Sequence, residues 1–210
     1  MARHASATGA QAISSLPPLG AYSFGEICDY YRALADAAEL PLLIYYYPPL
    51  APSIATIDQF LKLCQIPNVV GLKFTDSDLY KLWAIKQHNK IIFNGSDEML
   101  VAGLMMGADG GIGSIYNLVP ELFVDLYRNA VEGNWTAARA VQNVINPLIQ
   151  VILRYPVPPA VKALLRHTGL DCGACLPPRR LLIPEEEREL VKAVSKLPGL
   201  PARFASAAAR

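Results

Sequence analysis

The chain has 210 residues, 52% of them hydrophobic, enough for one ordinary core and too few for two typical domains. Nineteen basic residues stand against eighteen acidic ones, a formal net charge of +1, which supplies no electrostatic reason to bind nucleic acid or an anionic membrane. The first residues, MARHASATGAQ, lack the apolar core of a secretory signal, and no apolar run approaches the ~20 residues of a membrane span, so a cytoplasmic protein acting on a small metabolite is expected.

Short apolar runs bounded by Pro, Gly, Asn or Asp recur in the first half, each followed by a segment of helical period. The first run is AISSLPP from Ala12, followed by the helical stretch SFGEICDYYRALADAAE. PLLIYYYPP from Pro41 precedes SIATIDQFLKLCQI, and VVGLKFT from Val69 precedes DLYKLWAIKQHN. IIFNGSD from Ile91 leads to DEMLVAGLMMGA, and GGIGSIYN from Gly110 is the fifth run. Beyond Pro120 the pattern is helical throughout, in LFVDLYRNAVEGN, WTAARAVQNVINPLIQVILR, PAVKALLRHTG and PEEERELVKAVSKL, and the tail RFASAAAR reads as frayed. The expected organisation is one domain over 1–210, with βα units over 1–118 and a mainly helical part over 119–210.

Five parallel strands with intervening helices suit either an open doubly wound sheet or part of a (β/α)8 barrel. Strand alternation in VVGLKFT puts Gly71, Lys73 and Thr75 on one face and Val70, Leu72 and Phe74 on the other. The apolar face packs on helices, which leaves the Gly/Lys/Thr face in a confined interior, with Gly71 making room below the lysine stem. In LLIYYY the same phase groups Leu43, Tyr45 and Tyr47, and Tyr45 lies level with Lys73 if the two strands are in register.

Burying an ammonium disfavours its charged form, so a lysine inside a strand is either paired or used for chemistry. Lys73 reads structurally as a strand-end lysine that snorkels to water or pairs with Asp76 or Asp78; a desolvated lysine can instead attack a ketone and form a Schiff base. Tyr45 reads equally as aromatic packing before a rigid Pro-Pro turn and as a proton-transfer group, because His4, His88 and His167 lie in helical or terminal segments. GADGGIGS fits neither GxGxxG nor a P-loop, and its glycines suit close backbone packing that leaves room for a ligand, with phosphate binding near the last barrel strands as the lesser alternative. Asp97 and Glu98 suit a helix N-terminus or the hydroxyls of a sugar. Four cysteines are too sparse for a disulfide scaffold; Cys172 and Cys175 form a lone CxxC with His167 as the one further candidate ligand, and an ordinary loop containing two thiols is the plainer reading.

YYYPPL, GLKFTDSDL, FNGSDE and GLMMGADGGIGSIYN together resemble the pyruvate-dependent aldolases of the N-acetylneuraminate lyase and dihydrodipicolinate synthase superfamily, from about Ala12 to about Arg180. The resemblance leans towards N-acetylneuraminate lyase: Thr75 matches the hydroxyl residue two positions after the Schiff-base lysine, Gly95, Ser96, Asp97 and Glu98 match a Gly-x-Asp-Glu run, and Ser114 matches the serine of the last strand. Dihydrodipicolinate synthases tend to carry an arginine after the tyrosine-proline turn, where this chain has Pro49 and Leu50. The resemblance implies a TIM barrel of which about strands 4–8 are present, followed by a helical extension. It implies a class I aldolase with Lys73 as Schiff-base residue, Tyr45 as proton relay, and Thr75, Gly95, Asp97, Glu98 and Ser114 as substrate contacts. It further implies a 2-keto sugar acid or pyruvate as the partner, no metal or organic cofactor, and a homotetramer.

Family barrels typically need ~250 residues, so three βα units and the loop that holds the substrate carboxylate are expected to be missing. A five-stranded remnant would expose two sheet edges. The alternatives to N-acetylneuraminate cleavage are another 2-keto acid aldolase, including a dihydrodipicolinate synthase-like one, and a non-catalytic remnant that binds a ligand or partner.

Overall fold

The computed structural model describes residues 1–205. The chain divides into two compact units, one formed by residues 1–96 and 102–112, the other by 97–101 and the chain from Gly113 onward.

The first unit begins with helix α1 (Ala2–Ala7) and strand β1 (Ile13–Ser15). Helix α2 (Phe24–Ala38) starts where Ser23 accepts from the Glu26 N–H and the Glu26 carboxylate accepts in return, a reciprocal cap of the first turn. It stops at Glu39, whose left-handed backbone (φ 53°) ends the helical hydrogen-bond ladder. Strand β2 (Leu42–Tyr46) leads through a single 3-10 turn, with prolines in its first turn, to α3 (Ile57–Leu63), capped in the same way by Thr56 and Gln59. Strand β3 (Val69–Phe74) and helix α4 (Leu79–Lys86), capped by Asp78, follow, then β4 (Ile91–Asn94). Helix α5 (Leu100–Met105) precedes the two-residue β5 (Gly110–Gly111).

All five strands pair in parallel in the order β1-β2-β3-β4-β5. A doubly wound sheet reverses its strand order at a switch point, whereas a barrel wall keeps the strands in chain order. The uninterrupted order therefore decides for the barrel type, as five consecutive βα steps of an α/β fold. The bordering strands β1 and β5 are three and two residues long, which leaves few unpaired backbone groups at either edge.

The core of this unit contains Leu42, Ile44 and Tyr46 of β2, Val69, Leu72 and Phe74 of β3, and Ile92 of β4, packed with Tyr31, Phe60, Leu82 and Ile85 from the helices. Each fully buried large apolar side chain contributes about 1.5–3 kcal/mol relative to exposure. Alternation predicts Val70 in this set, but Val69 occupies the place. The β2–β3 register shifts between Leu42 and Leu43, which pair with Val69 and Gly71, so Val70 is the extra residue of a bulge and the phase is restored only from Gly71 onward. Gly71 also has a different reason from the expected one: a Cβ there would meet the backbone carbonyl oxygen of Ile91 on β4 at 1.8 Å.

In the second unit a 3-10 turn at Asp97–Met99 is followed, from Gly113, by a second one at Ile115–Asn117 and by helices α6 (Pro120–Val131), α7 (Trp135–Ile152), α8 (Val157–His167), α9 (Pro184–Val194) and α10 (Ala202–Ala205). Prolines in the first turns of α6, α8 and α9 cost no hydrogen bond there, and Asn134 caps α7. Part of the tail expected to fray is ordered: Phe204 of α10 is buried, and Arg203 is bonded to the Glu121 carboxylate and the Leu118 carbonyl. Residues 206–210 of that tail lie outside the described residues. Among the described residues no single helix is long and apolar enough to cross a membrane.

Candidate active site

Lys73 and Tyr45 are the centre of the first unit's candidate site. The register pairs Tyr45 with Lys73 and Tyr46 with Phe74, so alternation turns Tyr46 and Phe74 into the core and leaves Tyr45 and Lys73 together on the other face. Both are half-buried, and the Lys73 Nζ lies over the Tyr45 ring, 3.9 Å from its centroid. That is a cation–π contact, which holds the amine at the ring face.

Neither carboxylate that follows the strand reaches Lys73; both are taken by Lys81. Its Nζ is 3.2 Å from Asp76 Oδ2 and 3.7 Å from Asp78 Oδ2, and it donates to the Tyr46 hydroxyl at 3.5 Å. Burial works against the Lys81 ammonium, but the hydrogen bond to Asp76 and the neighbouring Tyr46 and Asp76 outweigh it, and its pKa stands above the ordinary lysine value. For Tyr46 burial acts in the raising direction and prevails over the opposing Lys81 charge. Among the described residues Lys73 forms no ion pair, which removes pairing with Asp76 or Asp78 as the explanation of a lysine at this strand position.

Thr75 and Gly95 extend the ladders one residue past the strands, Thr75 N–H donating to the Tyr46 carbonyl (2.8 Å) and Gly95 N–H to the Phe74 carbonyl (2.7 Å). The Thr75 Oγ1 is buried without a hydrogen-bond partner among the described residues. A Cβ at Gly95 would sit 2.0 Å from it, so the glycine is what lets that hydroxyl occupy its place. Beside them Asn94, 1% exposed, donates from Nδ2 to the Ser96 carbonyl (2.6 Å) and fixes the turn that carries Gly95. Thus Lys73, Tyr45, Thr75 and Gly95 are gathered within one unit.

Asp97, Glu98 and Ser114 belong to the second unit. Asp97 is buried and accepts from the Ile115 N–H through Oδ2 (2.8 Å), and a Cβ at Gly113 would strike its Oδ1 at 1.4 Å. The glycine-rich stretch thus makes room for a carboxylate. Glu98 and Ser114 are exposed. The hydroxyl of Tyr116 is buried without a hydrogen-bond partner among the described residues, its ring stacked on Phe123 (centroids 3.7 Å apart); burial, with the Asp97 and Glu98 charges, pushes it well above the ordinary tyrosine range.

Sequence reasoning missed the supports of this segment. Gln142 of α7 donates to the Asp97 carbonyl (3.1 Å) and accepts from the Val101 N–H (3.2 Å), while Asn146 donates to the Glu98 carbonyl (3.3 Å). The available sign was Gln142, an amide on the buried face of α7 among Ala138, Ile145 and Ile149, with Asn146 one helical turn further on. Among the described residues no group of three or more His, Cys, Asp or Glu is arranged to hold a metal ion, and all four cysteines are free.

Residues 1–197 match the Dihydrodipicolinate synthetase family. N-acetylneuraminate lyase of Rhizobium meliloti (strain 1021) is 40% identical over 194 residues, 90% of this chain and 63% of the relative. N-acetylneuraminate lyase of Escherichia coli (strain K12 / DH10B) is 34% identical over 171 residues, 80% of this chain and 58% of the relative. The chain therefore spans less than two thirds of the length of these curated relatives. Among solved structures, wild-type Ruminococcus gnavus sialic acid aldolase superposes with a TM-score of 0.87 at 30% identity, covering 99% of this chain and 69% of that one. CdNal from Clostridium difficile in complex with mannosamine gives 0.88 at 30% identity, over 93% of this chain and 69% of that one.

Proposed function

Because the chain belongs to the dihydrodipicolinate synthetase family, we propose that its residues carry out Schiff-base cleavage of a 2-keto sugar acid, N-acetylneuraminate giving N-acetylmannosamine and pyruvate. The observation that carries this reading is the Lys73 amine held over the Tyr45 ring while Lys81 occupies both neighbouring carboxylates. The names of the relatives support the choice of substrate, as does Pro49–Leu50 in place of the arginine expected of a dihydrodipicolinate synthase.

In the proposed sequence the Lys73 amine adds to the C2 ketone and water leaves, giving an iminium that serves as an electron sink. Tyr45 takes the proton of the C4 hydroxyl, the C3–C4 bond breaks, and the aldehyde departs as N-acetylmannosamine. The remaining enamine is protonated at C3, and hydrolysis returns pyruvate and the free amine. No metal or organic cofactor enters any step. The unpartnered Thr75 hydroxyl and the Gly95 backbone are proposed to contact substrate, as are Glu98 and Ser114; Asp97 is proposed to act in part by shaping its own segment, given its bond to Ile115. The proposed setting is the cytoplasm and the proposed working form a homo-oligomer.

The test is incubation of the purified chain with N-acetylneuraminate and assay of released pyruvate and N-acetylmannosamine, with Lys73→Ala as control. Equimolar products that depend on Lys73 support the reading. Release of pyruvate from simpler 2-keto acids alone would move the substrate elsewhere within the same chemistry.

A further inference from the structure

Asp76 and Asp78 follow Lys73 closely in sequence, and carboxylates so placed are the ordinary partners of a lysine at a strand end. In this chain they are engaged by a second lysine, in the first turn of α4. Asp78 caps that helix by accepting from the Lys81 N–H at 3.0 Å, so the backbone of Lys81 is fixed by one of the two carboxylates that its side chain then binds. The Lys81 and Asp76 side chains are 17% and 15% exposed, so their pair is largely withdrawn from solvent, whereas Asp78 is 47% exposed.

Lys81 also bridges two strands. The Tyr46 hydroxyl belongs to β2 and Asp76 to the segment that follows β3, and the pair Tyr46–Phe74 adjoins the pair Tyr45–Lys73 in the register. The bridge therefore crosses the same two strands one residue from the reactive pair. Among the described residues the titratable groups in contact with Lys81 are Asp76, Asp78 and Tyr46, and Tyr45 is in contact with Lys73. On the other neighbours, Phe60 of α3 packs against Tyr46, and Phe93 and Asn94 of β4 pair with Lys73 and Phe74; none of these carries charge.

We infer that Lys81 is a positioning residue that keeps Asp76 and Asp78 away from Lys73 and ties the ends of β2 and β3, so that the Lys73 amine stays available for reaction. Without the Lys81 charge, Asp76 is left as a mostly buried carboxylate with no counter-ion, a costly state. The carboxylates of Asp76 and Asp78, three and five residues past Lys73, are then free to turn towards its ammonium, which would favour its charged, unreactive form.

This inference rests on the Schiff-base role of Lys73, so its test reads the amine directly and not through turnover. Wild-type, Lys81→Met, Lys81→Arg and Lys81→Met/Asp76→Asn chains are labelled briefly with acetic anhydride across a pH series, and acetylation of Lys73 is quantified by peptide mass spectrometry. In Lys81→Met the Lys73 profile is expected to move up by about one pH unit, roughly a tenfold slower labelling near neutrality. Lys81→Arg is expected to keep the wild-type profile, and the added Asp76→Asn to restore it. An unchanged profile in folded Lys81→Met overturns the inference. If that variant does not fold, Asp76→Asn/Asp78→Asn decides: a wild-type profile at Lys73 is the expected result, and a downward shift would mean that the carboxylates already act on Lys73. Failure of wild-type Lys73 to condense with pyruvate, with these profiles as expected, would remove the Schiff-base role and leave the positioning intact.

Discussion

Tyr45 and Lys73 are register partners on adjacent parallel strands, and the amine of the second lies 3.9 Å from the ring centre of the first. The contact uses the ring and leaves the hydroxyl for other work, which separates two roles that a single substitution can distinguish. Tyr45→Phe keeps the ring under the amine, so condensation of Lys73 with pyruvate should proceed near the wild-type rate. Cleavage of the sugar acid should fall by about 10²–10⁴-fold, the usual contribution of a positioned proton-transfer group. Adduct formation and product release, measured on the same preparation, check this.

The unpartnered hydroxyl of Thr75 and the missing side chain of Gly95 form one local unit. Thr75→Val removes a group that has no hydrogen-bond partner among the described residues, so stability in urea should change by less than about 1 kcal/mol while KM rises. Gly95→Ala places a methyl against Thr75 and should destabilise by about 1–3 kcal/mol. In the double variant Thr75→Ala/Gly95→Ala the Oγ1 contact is gone while the Cβ of residue 75 and the Phe74 carbonyl stay at 2.9 and 3.1 Å, so only part of that loss should be recovered, giving a non-additive cycle.

Asp97 has a structural bond that substitution will expose. Asp97→Ala leaves the Ile115 N–H buried without its acceptor and should cost about 1–3 kcal/mol, whereas Asp97→Asn retains an acceptor oxygen and should cost less. Urea unfolding of both variants measures the difference. Equal stability of all three chains would confine Asp97 to contacts outside the fold.

Burial pushes the Cys64 thiol up to about 11, with the nearby Lys90 pulling modestly the other way. Below the ordinary thiol value of 9.0 neither the folded nor the unfolded state ionises and the contribution is complete. As pH rises from there, the unfolded chain releases its proton first, so stability falls until the folded thiol ionises too, by up to about 3 kcal/mol from this group. The buried Cys28, raised by the same cause, adds in the same direction. The difference between wild-type and Cys64→Ala unfolding free energies should therefore shrink across that interval.

The βα alternation was legible because it is written in local periodicity, and all five strands formed within the apolar runs read from the sequence. The pairing of Tyr45 with Lys73 followed from the phase of two strands and required only that they lie side by side. The bulge at Val70 was not legible, since it arises from how β3 meets β2 and not from the pattern of β3 itself. The fate of Asp76 and Asp78 was hidden for a similar reason: Lys81 sits on a helical segment whose turn had to be placed before its charge could be assigned. Gln142 and Asn146 act on a segment more than forty residues earlier in the chain. Arg203 and Phe204 lie in an alanine-rich tail where composition conceals one anchoring pair.

The central claim, that Lys73 is a carbonyl-reactive amine in this chain, is tested most directly by incubation with pyruvate and borohydride followed by peptide mapping. The account predicts a reduced pyruvyl adduct on Lys73 that is absent from Lys73→Ala, while other lysines, Lys81 included, remain unmodified. A folded chain that yields no adduct, or one spread over surface lysines with Lys73 spared, would contradict it.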